Sequence, residues 1–123
     1  PENHFFTSAI VNGILPIAVG TALGLRWNLS GRMVWCFVGD MAAESGEFYT
    51  AVKFSARNNL PIHFVIEDND LSTNSPTQEA WGLVNPKAVT LGIHQDVIGK
   101  YVSYYKYERK VYPHQGIGKW IHF

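Results

Sequence analysis

Two apolar runs, "MVWCFVG" at residues 33–39 and "IHFVIED" at residues 62–68, constrain this chain more than any other feature. Each has strand length, and each is apolar at successive rather than alternate positions, as in a parallel strand covered on both faces. Parallel neighbours need a crossover, and the stretch between the runs supplies one. Over Ala42 to Asn59, Phe48, Ala51, Val52 and Ser55 recur at helical spacing, while Glu44 and Glu47 stand in the first turn, where carboxylates suit the positive end of a helix dipole. "NNLP" then closes that helix. The order strand, helix, strand predicts a right-handed crossover in an α/β domain of three layers, with a mainly parallel sheet between helices.

Upstream, "ILPIAVGTALGLRW" predicts a helix from near Gly13 to Trp27, with Ile14, Ile17, Ala18, Thr21 and Leu25 on one side. Pro16 is tolerable there only in the first turn. Gly20 and Gly24, four apart, predict a closely packed neighbour. Downstream, "NDLSTNSPTQ" reads as a polar loop, residues 79–100 as a stretch holding one short helix, and "YVSYYKYER" as a last strand. "HQGIGKWIHF" reads as a loop and a short terminal segment.

With 123 residues, 46% of them hydrophobic, the chain can bury one core, so residues 1–123 are expected to form a single domain. Pro1 stands where an initiator methionine would, which leaves a longer parent chain open. Ten basic and ten acidic side chains balance, so nothing in the charge suggests nucleic acid or an anionic membrane as partner. Ala9 to Leu25 is too interrupted, by Asn12, Pro16 and several glycines, for a membrane span or signal peptide. The lone Cys36 reads as a buried hydrophobe in a reducing compartment, and a cytoplasmic location is expected. Four Trp, six Tyr and seven Phe in so short a chain predict an exposed apolar face and oligomerisation.

Ligands of a parallel sheet bind outside the carboxyl ends of its strands. "GD" closes the first run and "EDN" the second, so Asp40 and Asn69 are brought together across one strand–helix–strand unit. A carboxylate and an amide oxygen, with a loop carbonyl beside them, suit Mg²⁺ and not zinc. Met41, Ala42 and Ala43 follow at a helix start, whose free amides favour an anion, so the pair reads as a diphosphate site. Neither GxxxxGK[ST] nor GxGxxG is present. Asp at a helix start and Asn in a turn also serve as caps alone, so on the residues by themselves both readings stand.

The segment "GDMAAESGEFYTAVKFSARNNLPIHFVIEDN" resembles the thiamine-diphosphate fingerprint, in which Gly-Asp-Gly is followed some thirty residues later by an Asn pair at a strand end. It is most similar to alpha subunits of the decarboxylase component of 2-oxo acid dehydrogenases and to transketolase-like relatives. "SAIVNGILPIAVGTALGL" resembles the helix that precedes this motif in the family, with Pro16 in register. The resemblance runs from about His4 to Trp81. It implies the thiamine-diphosphate-binding fold, with Asp40, Asn69 and the backbone carbonyl of Leu71 as Mg²⁺ ligands. By the same resemblance Gly39, Met41 and Ala42 form the turn whose amides reach the diphosphate. Val11 falls beneath the bent cofactor, and the backbone of Ala9 meets its aminopyrimidine.

Two departures are visible. Met41 replaces the last Gly of Gly-Asp-Gly, and Asp68 replaces the first Asn of the pair, adding charge beside the metal. Near the end, "YKYERKVYPHQG" faintly resembles the family's phosphate-binding loop, which would make His114 a diphosphate contact, with weaker claims for Tyr107 and Arg109. His4 lies where the family places polar groups near substrate. His63, mid-strand, reads as structural, His94 and His122 carry no argument, and Ser45 and Ser72 belong to no triad.

The resemblance implies a diphosphate-binding domain or alpha-like subunit of a thiamine diphosphate- and Mg-dependent 2-oxo acid dehydrogenase. The glutamate that activates the cofactor is then expected on a pyrimidine-binding domain or beta subunit, in a homo- or hetero-oligomer. Three alternatives remain: a transketolase-like subunit, a non-catalytic module of the same fold, and an unrelated Mg²⁺-dependent phosphohydrolase.

Overall fold

The computed structural model describes residues 5–73, 75–82 and 99–108. Helix α1 (Ile14–Trp27) leads into β1 (Val34–Gly39), the single-turn α2 (Asp40–Ala43), α3 (Gly46–Arg57) and β2 (Ile62–Asp68). A small hairpin of β3 (Leu71–Ser72) and β4 (Ser75–Pro76) follows, then α4 (Thr77–Trp81) and, after residues 83–98, β5 (Val102–Lys106).

The two apolar runs are indeed parallel neighbours. β1 pairs with β2 from Val34↔Ile62 to Gly39↔Glu67, and β2 pairs with β5 from Phe64↔Val102 to Asp68↔Lys106, giving a parallel sheet in the order β1-β2-β5. Alternate residues of the sheet, Cys36, Val38, Ile62, Phe64 and Ile66, enter one core with Leu15, Ala18 and Ala22 of α1 and Phe48 and Val52 of α3. Phe48 and Phe64 meet edge to face, with centroids 5.6 Å apart. The intervening residues point the other way, and Trp35 and Phe37 there are exposed. Of the three layers expected, the described residues form two.

α1 and α3 run side by side and are joined at both ends. Asn12 Nδ2 donates to Ser45 Oγ at 2.8 Å ahead of the two helices, and Arg26 donates to the carbonyls of Asn58 and Asn59 behind them. Between them opens an apolar groove of about 1000 Å³.

The structure revises five local expectations, the first being the polar loop over residues 69–78, which carries the β3–β4 hairpin and the start of α4. The helix expected over Ala42–Asn59 is two, because Ser45 turns extended and its Oγ accepts the Phe48 amide at 3.2 Å, starting α3 anew. α1 buries Leu15, Ala18 and Ala22, leaving Ile17 and Thr21 exposed; a helix apolar nearly all round gives its period little power to choose a face. A Cβ added at Gly20 or Gly24 would meet nothing within 4 Å, so the expected close neighbour is not found among the described residues. The last strand is shorter than "YVSYYKYER": residues 99–101 are helical and Arg109 lies outside the described residues.

Candidate metal centre

Because Gly39 pairs with Glu67, the residues that follow them leave the sheet side by side at its carboxyl edge. Asp40 opens α2 there and is 7% exposed. Burial pushes its carboxyl above the ordinary carboxylate range; the Thr77 hydroxyl opposes that shift, the charge of Asp68 adds to it, and the backbone amides of Asp40 and Asn69 oppose it. Asp68, at the end of β2, is 1% exposed. Its Oδ1 accepts the Asp70 amide at 2.8 Å and its Oδ2 accepts the Tyr104 hydroxyl. The carboxylate that departs from the family's Asn is therefore tied into the turn and to β5.

The chain then reverses. Asn69 Oδ1 accepts the Leu71 amide at 3.1 Å, and Asp70 takes a positive φ of 62°, a conformation Asp tolerates better than most residues. Leu71 pairs across the hairpin with Pro76. Proline has no N–H, so the Leu71 carbonyl receives no ladder bond from that residue. The hairpin returns the chain to Thr77, whose Oγ1 donates to Asp40 Oδ2 at 2.5 Å. One edge of the sheet thus gathers Asp40, Asn69 and Leu71, with α2 packed on β2 and β3.

Asp40 and Asp68 are neighbouring buried carboxylates, each held by hydroxyl and amide donors. The nearby Lys106 is engaged elsewhere, 2.6 Å from Asp70 at the surface. Among the described residues no three His, Cys, Asp or Glu converge on one point; beside Asp40 the neighbouring oxygens are those of the Asn69–Leu71 turn. Such a set suits Mg²⁺, which takes few protein ligands and keeps the rest as water or phosphate oxygens. In donor chemistry, a carboxylate with amide and carbonyl oxygens beside it is of the kind Mg²⁺ accepts.

The other predicted residues are distributed as follows. Gly39 is exposed and Met41 and Ala42 are half-buried in α2, whose first-turn amides have no intrahelical acceptors. Since α2 is one turn long, the dipole expected from a long helix does not act at this point. Ala9 and Val11 lie on the exposed loop before α1, where Val11 lines the groove between α1 and α3. The next residue, Asn12, bonds to the cap of α3, which fastens this loop to the α1–α3 pair. His63 contacts Trp35, the Lys100 carbonyl and Ser103 Oγ. Tyr107 donates its amide to the Asp68 carbonyl at 2.8 Å. His4, His94, Arg109, His114 and His122 lie outside the described residues. Sequence reasoning missed Thr77 and Tyr104, which no periodicity or motif connects to the carboxylates they hold.

Against known proteins, the family described as "Dehydrogenase E1 component" matches residues 1–95. This chain belongs to that family. The E1-family chain is 31% identical over 72 residues to the pyruvate dehydrogenase E1 component subunit alpha of Rickettsia bellii (strain RML369-C), covering 58% of this chain and 22% of that protein. It is 32% identical over 81 residues to the mitochondrial 2-oxoisovalerate dehydrogenase subunit alpha of Mus musculus, covering 65% of this chain and 18% of that protein. The E1-family chain thus spans about a fifth of the length of the curated relatives it matches. No helix among its described residues is long and apolar enough to cross a membrane.

Proposed function

We propose that this E1-family chain is the diphosphate-binding part of a thiamine diphosphate- and Mg-dependent 2-oxo acid dehydrogenase, acting with a pyrimidine-binding domain or beta subunit. The observation that carries this reading is the meeting of Asp40 with the Asn69–Leu71 turn at the carboxyl edge of a parallel sheet. Asp40, Asn69 and the Leu71 carbonyl would hold Mg²⁺, and the amides of Gly39, Met41 and Ala42 would face the diphosphate. The loop of Ala9 and Val11 would support the remainder of the cofactor. When bound, thiamine diphosphate supplies the carbanion chemistry that cleaves the bond beside a 2-oxo group; the protein supplies binding, orientation and electrostatics.

Each chain residue then has a physical task. Asp40 supplies the negative charge that the cation offsets, and its burial keeps water from screening that attraction. Tyr104 and the Asp70 amide hold Asp68 as a partner of the turn. The activating carboxylate is assigned to the partner, which makes a hetero- or homo-oligomer part of the proposal. The free, buried Cys36 suits a reducing compartment such as the cytoplasm.

Calorimetric titration of thiamine diphosphate with Mg²⁺, into the chain alone and with candidate pyrimidine-domain proteins, tests the reading. Binding that requires the metal and vanishes in Asp40→Ala supports it. Absence of binding in every mixture of folded proteins overturns it in favour of a non-catalytic module.

A further inference from the structure

A divalent site split between two strand ends works only if both ends are held in register to a fraction of an ångström. Asp40 follows β1, whereas Asn69 and Leu71 follow β2. Thr77 is bonded to both. Its hydroxyl donates to Asp40 Oδ2 at 2.5 Å, and its amide donates to the carbonyl of Asp70, inside the Asn69–Leu71 turn, at 3.0 Å. The residue is 4% exposed, so water does not compete for either bond. An ionised carboxylate only accepts, which fixes the direction of the Thr77 bond, and that bond uses one of about four lone-pair sites on the group. Metal-ligating carboxylates are themselves commonly oriented by such hydrogen bonds.

We propose that Thr77 is a positioning residue for the divalent cation, linking the Asp40 carboxylate to the loop of Asn69 and Leu71 through the β3–β4 hairpin. The inference rests on the function proposed above. Its chemistry is specific to the hydroxyl: valine has nearly the same shape and lacks the donor, serine keeps the donor and loses a methyl group.

The test measures Mn²⁺ affinity by electron paramagnetic resonance, with and without thiamine diphosphate, on the chain with its binding partner, for wild type and for Thr77→Val, Thr77→Ser and Thr77→Ala. Thermal midpoints are recorded alongside. Loss of one such orienting bond costs about 10- to 100-fold in metal affinity. Thr77→Val and Thr77→Ala are therefore expected to bind Mn²⁺ at least about tenfold more weakly, with Thr77→Ser within about threefold of wild type. If Thr77→Val does not fold, the Ser and Ala variants, which differ by one oxygen atom, decide the matter. Affinity unchanged in the variants lacking the hydroxyl overturns the inference, as does an equal loss in Ser and Ala that follows the thermal midpoints. Absence of Mn²⁺ binding by the wild type overturns the functional reading itself, and this inference with it.

Discussion

Asn12 and Ser45 are joined side chain to side chain at 2.8 Å, so that the loop before α1 is fastened to the residue that caps α3. Ser45 Oγ accepts both the Asn12 amide and the Phe48 backbone N–H. Asn12 holds a φ of 62°, a region open to Asn and Gly but strained for alanine. Among the described residues its buried Oδ1 has no hydrogen-bond partner.

Ser45→Ala removes a helix cap and the Asn12 bond together, an expected loss of about 1 to 2 kcal/mol. Asn12→Gly keeps the backbone unstrained and removes the unpaired oxygen, so it is expected to cost less than Asn12→Ala. Thermal denaturation of the three variants checks this order. An Asn12→Ala variant as stable as Asn12→Gly would show that the left-handed conformation does not govern the site.

Asp40→Asn is expected to move stability and binding in opposite directions. The folded state raises the Asp40 pKa above its ordinary 3.8, so its contribution is fully present below that value and is lost as pH rises through the folded value. At neutral pH the ionised, buried carboxylate therefore destabilises the metal-free chain. Replacing it by the isosteric amide should raise the metal-free thermal midpoint at pH 7 while abolishing Mg²⁺-dependent cofactor binding. A lowered midpoint would contradict the first half.

Cys36 should be inert in the folded chain. Burial pushes its thiol from the ordinary 9.0 up to about 11, so below pH 9 almost no thiolate is present. Iodoacetamide at pH 8 is expected to label it only after addition of denaturant. Between about pH 9 and 11 the unfolded chain releases the proton first, so stability falls as pH rises through that window. Tyr104 and Tyr105, raised in the same direction, add to the fall. The difference between wild type and Cys36→Ala isolates the thiol's share.

Phe64→Ala is expected to be the most damaging of the simple core truncations. The ring is fully buried in the central strand and stacks edge-on against Phe48. Removing such a ring typically costs about 3–5 kcal/mol, a large fraction of the stability of a domain of this size. Urea titration should find the variant largely unfolded or with a strongly lowered midpoint, and a loss below about 1 kcal/mol would contradict the assigned core.

Much of this arrangement was legible in one dimension. The nearly continuous apolar character of residues 33–39 and 62–66 announced parallel strands, and the helical spacing of Phe48, Ala51, Val52 and Ser55 selected the face that α3 buries. From those elements the meeting of Asp40 with Asn69 follows, because consecutive parallel strands end on one edge. α1 was less legible: its apolar residues surround it, so only the packing partner reveals that Leu15, Ala18 and Ala22 face inward.

The sequence by itself determined the two central strands, their parallel pairing and the edge where acidic and amide side chains gather, since these follow from burial periodicity and chain connectivity. Only the tertiary structure decided that Ser45 restarts the helix, that Tyr104 holds Asp68 and that Thr77 reaches Asp40. Those bonds depend on strand register and on a hairpin whose turn residues bend the chain back. A hydrogen bond between residues 37 positions apart leaves no local pattern, because nothing but the folded backbone brings its donor to its acceptor.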